Sequence, residues 1–487
     1  MTKALMLQGT GSDVGKSVLV AGLARAYVRR GLQVQPFKPQ NMSNNAAVAK
    51  EGGEIGRAQW LQAFACGVQP SVHMNPVLLK PQSDMGSQIV VQGKLYGAAE
   101  AADYQNRKRD LLSAVMSSFE RLKADADIVL VEGAGSPAET NLRAGDIANM
   151  GFALKAKVPV VLVGDIDRGG VIASLVGTHA VLSVEDRQMV KGFIINKFRG
   201  DVSLFDDGLL EIERRTEWPG FGVLPWVKAV VDLPAEDAVV LEKPHASSQG
   251  MMKIAVPMLS RIANFDDVDP LGAEASVDLQ FIPQGQPLPG NADLVILPGT
   301  KATIADLAFF RAQGWGVDLA AHVRRGGRVL GLCGGFQMLG ESVSDPEGIE
   351  GAAQSAKGLG LINMQTTMQP EKQLANVMGS TLAGDVSFSG YEIHAGLSIG
   401  AGLAKPFVLV GNRPHGAISP DGNIMGAYVH GLFESGAFRR HFLSQLGAPS
   451  DGTDHHSKID RALDALADEM EIALNLDGLL TVSETAL

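Results

Sequence analysis

ALMLQGTGSDVGKS, residues 4–17, passes from an apolar run through a glycine-rich turn into a helical pattern. Strand, tight turn and helix in that order open a parallel α/β sheet. Gly15-Lys16-Ser17 closes the turn as a phosphate-binding loop closes. In such a turn the backbone N–H groups curl around phosphate oxygens, and the helix N-terminus adds its positive end. Thr10, Gly11, Asp13, Gly15, Lys16 and Ser17 are therefore expected to cradle a nucleotide. Lys16 would reach the β/γ-phosphates and Ser17 would ligate Mg²⁺. The spacing departs from the strict pattern: five residues, not four, separate Gly9 from Gly15, and Thr10 stands where the first glycine is usual.

Outward from that turn, short apolar runs recur at 127–131 (DIVLV), 158–163 (VPVVLV) and 192–195 (GFII), with helical stretches between them. Buried strands alternating with helices predict a mainly parallel sheet covered on both faces. Glu132 follows DIVLV directly and is the expected carboxylate of the metal shell. Glu54 is a second candidate there, with Glu51 close by. Asn196 follows GFII, where its amide is placed to pair with a donor and an acceptor on a base edge.

A stretch rich in Pro, Ser and charge, 233–252, reads as a linker after a nucleotide-binding domain at 1–232. A second strand series follows at 253–259, 292–299 and 328–335, with later strand candidates at 406–411 and 425–431. It predicts a second doubly wound α/β domain over 253–445. The tail, 446–487, carries Ile459, Leu463, Leu466 and Met470 on one helical stripe and acids on the other face. An acidic face does not suit a membrane surface, so the tail is expected to dock onto the second domain.

The composition sets bounds. With 487 residues, 45% hydrophobic and 20% charged, the chain is a multi-domain globular protein. A net charge of -11 argues against nucleic acid or an anionic membrane as partner. Two cysteines without a CxxC leave no disulfide framework and no zinc site, which points to a reducing, cytoplasmic setting. No apolar run reaches about 18 residues, and the start lacks a signal-peptide layout.

GLCGG, residues 331–335, is the cysteine form of a nucleophile elbow. The turn presents Cys333 at a helix N-terminus, which favours the reactive thiolate. Gly334 and Phe336 of the same turn, with Gly299 at another strand end, are the expected oxyanion and donor-binding positions. His430, in MGAYVHG, is the expected base. Cys66 sits in a helical apolar pattern and reads as inert. His455 and His456 show no metal-ligand spacing.

A nucleotide site and a Cys–His site in one chain fit ATP-dependent amide formation with glutamine as nitrogen donor. Several longer motifs carry a resemblance: FKPQNMSNNA (37–46), LLKPQSDMGSQ (78–88), VEGAGSPAETNLRAGDIANMGFA (131–153), GDIDRGGVIASL (164–175) and INKFRGD (195–201). LPGTKATIADL (297–307), GYEIHAG (390–396) and YVHGLFE (428–434) add to it. Over essentially its whole length the chain resembles the cobyric acid synthase family.

The resemblance implies a dethiobiotin-synthetase-like domain joined to a triad-type, class I glutamine amidotransferase domain. It implies amidation of the b, d, e and g carboxylates of the corrinoid adenosylcobyrinic acid a,c-diamide, with ATP and Mg²⁺, in cobalamin biosynthesis. Cys333 and His430 match the family's nucleophile and base. The family suggests an acyl phosphate; the residues alone leave acyl adenylate open. Leu432 stands where many class I amidotransferases have Glu, and Glu434 lies two residues on, which leaves open what orients His430. Lys80, Arg143 and Arg168 lie in matching motifs and are candidates to meet carboxylates or phosphates. Two other readings stay open: a cobyrinic acid a,c-diamide synthase, and a non-enzymatic P-loop ATPase switch.

Overall fold

The structure is a computed structural model that describes residues 2–82, 86–235 and 251–484, with no side chains described over 98–109. Most of the expected linker, 236–250, lies outside the described residues. Two six-stranded sheets form the two halves.

In the first sheet the strands run in the order Gly220–Pro225, Val190–Phe198, Val160–Asp165, Lys3–Gly9, Ile128–Glu132, Val34–Phe37, all parallel. Along the strand Lys3–Gly9, Leu5 and Leu7 enter one core while Ala4 and Met6 enter the other. Side chains alternate along a strand, so both faces of this sheet are buried under helices.

The second sheet runs Val277–Ile282, Met252–Pro257, Leu294–Leu297, Arg328–Leu332, Ile424–Ala427, again parallel, with the short strand Ala417–Ile418 antiparallel at its edge. Val295 and Leu297 face one core, Leu294 and Ile296 the other. The expected strand at 406–411 exists as Val408–Val410, but it pairs in a separate sheet built on the long hairpin Gln365–Ser380 and Ser387–Ile399. The expected strand at 425–431 divides in two: Ile424–Ala427 stays in the parallel sheet, and Val429–His430 crosses to pair with Tyr391 and Glu392.

The tail corrects the expectation made for it. The helix His455–Ala473 packs on the first domain, not the second, and Ile459, Leu463, Leu466 and Met470 share a core with Leu19, Leu23 and Tyr27. The acidic face, half-exposed, is paired as well. Arg29 pairs with Asp468 at 2.7 Å, Arg30 with Glu471 at 2.5 Å, and Arg25 with Asp460. The helix Lys16–Arg29, with Arg30 at its C-cap, thus offers an apolar face and a basic rim that match the tail's two faces. Among the described residues no helix is long and apolar enough to cross a membrane.

Candidate active site

Both glycine-rich turns open at the C-terminal ends of parallel strands, where such sheets present their ligands. After Lys3–Gly9 the chain turns through Asp13 (φ 58°) and Gly15 (φ 92°) into the helix that starts at Lys16. A left-handed φ suits glycine at Gly15, and a close neighbour reinforces it, because a β-carbon there would lie 2.4 Å from Asn196 Nδ2. Lys16 Nζ donates to Gly11 O at 3.2 Å. Ser17 Oγ donates to Glu132 Oε1 at 2.7 Å, and Glu132 is fully buried. Lys38 Nζ reaches the same oxygen at 2.8 Å, and Gln62 Nε2 donates to the other at 2.6 Å. Thr10 is tied to the sheet through its N–H on Val163 O at 3.0 Å, and Asp13 pairs with Arg168 at 3.2 Å.

Two of the expected nucleotide-site residues sit differently. Asn196 does not present its amide outward: it is buried and Nδ2 donates to Val14 O at 2.8 Å, so the side chain braces the loop from beneath. Glu54 does not join Ser17 and Glu132. Its carboxylate is buried between Lys80 and Lys372, each at 2.7 Å, and both lysines line the cavity around Cys333. Two lysines hold it as an ion triad at the Cys333 cavity, away from Ser17 and Glu132. Arg143 is engaged by Asp186 at 2.9 Å.

The second turn follows Arg328–Leu332. Cys333 has φ 50° and ψ -108°, a strained position for a side chain, and the helix Gly334–Met338 begins right after it. The flanking glycines answer to contact. A β-carbon on Gly331 would lie 2.7 Å from Phe336 Cα, and one on Gly334 would lie 2.6 Å from Thr300 Cγ2. Gly335 packs on the Leu297 and Pro298 carbonyls. Cysteine, three glycines and a short helix are therefore one packing unit against the strand end at Gly299.

His430 lies in the same cavity as Cys333, Gly299 and Gly334. Its Nδ1 is 2.6 Å from Asp267 Oδ2, while Asp267 Oδ1 accepts the N–H of Gly431 at 2.8 Å. The ring also stacks on Tyr391 at 5.3 Å. Burial opposes a charged imidazole, but the Asp267 carboxylate and the Cys333 sulfur outweigh it and hold the His430 pKa well above its ordinary value. Asp267 is what the sequence did not supply. It belongs to the turn Phe265–Val268 beyond the strand Met252–Pro257, and the only signal was a cluster of acids, Asp266, Asp267 and Asp269, at a strand end. Glu434 is not the orienting group, since it pairs with Arg57 at 2.7 Å and with His456 at 3.0 Å.

Phe336 is also placed differently: its ring is buried against Tyr428 and Gly426 and does not line the cavity. Gln337 lines it instead, its Oε1 accepting the Thr303 hydroxyl at 2.9 Å. Cys66 is buried, and burial pushes its thiol far up, so it stays protonated and inert.

Residues 5–240 match the family described as CobQ/CobB/MinD/ParA nucleotide binding domain, and residues 253–438 that described as CobB/CobQ-like glutamine amidotransferase domain. The cobyric acid synthase of Brucella suis is 61% identical over 483 residues, which is 99% of this chain and 100% of that protein. Those of Brucella anthropi and a Sinorhizobium species are also 61% identical, over 482 and 483 residues, again 99% of this chain and 100% of each relative. The two matched halves, each with its glycine-rich turn at a strand end, and this likeness from end to end give one conclusion: the chain belongs to the cobyric acid synthase family.

Proposed function

We propose that the protein amidates the b, d, e and g carboxylates of adenosylcobyrinic acid a,c-diamide, drawing nitrogen from glutamine and using ATP to activate each acid. The observation that carries the reading is the juxtaposition of Cys333, His430 and Asp267 in a chain that also holds a phosphate-binding turn facing a buried carboxylate.

Cys333 Sγ attacks the side-chain carbonyl carbon of glutamine. The N–H groups of Gly299 and Gly334 face the developing oxyanion; Gly334 is the first residue of its helix, so its N–H has no carbonyl one turn back. His430 gives its proton to the departing nitrogen, and ammonia leaves as the C–N bond breaks. Asp267 holds Nδ1, so that Nε2 is the nitrogen that exchanges the proton. Water, deprotonated by His430, then cleaves the thioester to glutamate and restores the thiol.

In the other half Lys16 would neutralise the β/γ-phosphates of ATP, and the loop amides would hold their oxygens. Magnesium takes oxygen ligands and keeps several waters or phosphate oxygens. Ser17 Oγ and the Glu132 carboxylate fit that demand, and among the described residues no cluster of three or more His, Cys, Asp or Glu offers a fuller protein cage. When bound there, the ion would offset charge on the transferring phosphoryl group. Ammonia then displaces the activating group from the corrinoid carboxylate, giving the amide.

The test separates the two halves. Cys333→Ala abolishes glutamine hydrolysis and glutamine-driven amidation but still amidates with ammonium and ATP. Lys16→Ala abolishes amidation with either nitrogen donor and keeps glutaminase activity. Glutamine-driven amidation that survives Cys333→Ala would overturn the assignment, and turnover of cobyrinic acid but not its a,c-diamide would reassign the substrate.

A further inference from the structure

Three lysines and a carboxylate share the cavity of Cys333 and His430: Lys80, Lys301, Lys372 and Glu350. Glu54 lies behind two of them, 2.7 Å from both Lys80 and Lys372. Lys372 also donates to Gln88 Oε1 at 3.0 Å, and Glu350 accepts the N–H of Thr303 at 2.6 Å. Lys80, Glu54 and Gln88 come from the nucleotide-binding half, on and beside the strand Val77–Pro81; Lys301, Glu350 and Lys372 come from the amidotransferase half.

The balance of charge within this cluster is uneven. Among the described residues three lysines, Lys80, Lys301 and Lys372, crowd one poorly solvated cavity, and Glu54 takes up two of them. Burial, then repulsion by Lys372 and Lys80, pushes Lys301 down to about 7, and burial pushes Glu350 up to about 7 against the pull of Lys301. An arriving carboxylate relieves the first displacement and an arriving ammonium the second. Glutamine meets Cys333 through its side-chain amide and carries a carboxylate and an ammonium at its other end.

We propose that Lys80, Lys301 and Lys372 receive the α-carboxylate of glutamine while Glu350 faces its α-ammonium, so that the glutamine site is built by both halves and Lys80 is the nucleotide-binding half's contribution. This rests on the amidotransferase reading above. Its consequence is that full affinity for glutamine requires the two halves to be closed on each other, which confines ammonia release to the assembled enzyme.

The test uses the full chain, with glutamine and with 4-aminobutanamide, which keeps the side-chain amide and the amine but lacks the carboxylate. Lys80→Met is expected to raise KM for glutamine about tenfold to a hundredfold with kcat changed by less than about threefold, the loss typical of a charge-assisted contact. Against 4-aminobutanamide the same substitution is expected to change kcat/KM by less than about threefold, because the partner it removes is already missing. Lys80→Arg is expected to recover part of the glutamine affinity. Ammonium-driven amidation bypasses the cavity and reports whether a variant is folded. Should Lys80→Met fail there, Lys301→Met, made on the amidotransferase side of the same cavity, tests the carboxylate site with glutamine and 4-aminobutanamide in the same way. An unchanged KM for glutamine in both variants, or an equal loss with glutamine and with 4-aminobutanamide, overturns the proposal. Wild-type protein that amidates with neither glutamine nor ammonium overturns the underlying amidotransferase reading instead.

Discussion

Asp267 meets His430 with one carboxylate oxygen and the Gly431 N–H with the other, so the same group orients the ring and fixes the backbone beside it. Asp267→Asn keeps the shape and removes the charge. With that charge gone, the influence raising the His430 pKa weakens, so the imidazolium is lost at a lower pH. The alkaline limb of kcat/KM for glutamine should move to lower pH, and kcat should fall by up to roughly 10⁴-fold, the loss seen for the equivalent change in a serine-protease triad. A pH profile of glutamine hydrolysis checks both; an unmoved alkaline limb would mean that Asp267 does not control the ring. Cys333 and His430 were legible because each sits beside glycines at a strand end, a local pattern. Asp267 was not, since nothing local ties residue 267 to residue 430. Asn196 and Glu54 were misread for a related reason: their residue types suit a ligand, but their side chains are taken up by Val14 O and by two lysines from elsewhere in the fold.

Among the elements, strands and helices of the two parallel sheets were legible because runs buried on both faces read as continuous apolar stretches. The destination of the tail helix His455–Ala473 was not, because amphipathicity names a buried face without naming its partner. The partner is the helix that follows the phosphate-binding turn, and Gly22 in it lets Met470 approach so closely that a β-carbon there would lie 2.6 Å from the sulfur. The helix whose N-terminus would hold phosphate is therefore backed by residues more than 400 positions downstream, as Arg25 and Asp460 show across a separation of 435. Leu463 is fully buried in that contact. Leu463→Ala should cost about 2–5 kcal/mol. Amide exchange across residues 16–29 should speed accordingly and ATP affinity should fall, while exchange in the strand Arg328–Leu332 should not change. Uniform acceleration in both halves would show that the tail stabilises the whole and not the nucleotide-binding half.

Across the whole molecule the two halves are interlocked more than a division at 233–252 suggests. Arg57 of the first half enters the second, 2.6 Å from Asp266 and 2.7 Å from Glu434, with its guanidinium 4.0 Å from the Trp60 ring centroid. Asn264 Nδ2 donates to Ala46 O at 2.7 Å and its N–H to Asn45 Oδ1 at 2.8 Å. Lys38 stands at Glu132 and Asn44 at the Cys333 cavity, so the segment between them spans both sites. The tail adds a second tie, since the chain enters the second half, leaves it at the helix Gly436–Gln445 and returns to the first. Association therefore does not depend on the connection near 236–250. A protease recognition sequence inserted between Ala235 and Met251, cut after purification, should give two fragments that co-elute in size-exclusion chromatography and still amidate with glutamine. Leu463→Asp in the same protein places a charge in the shared core, at the expense expected for an unpaired buried carboxylate, and should let the cut fragments separate. If the wild-type fragments part at once at moderate salt, the covalent connection and not these contacts holds the halves together, and a glutamine site shared between them would have to depend on that connection.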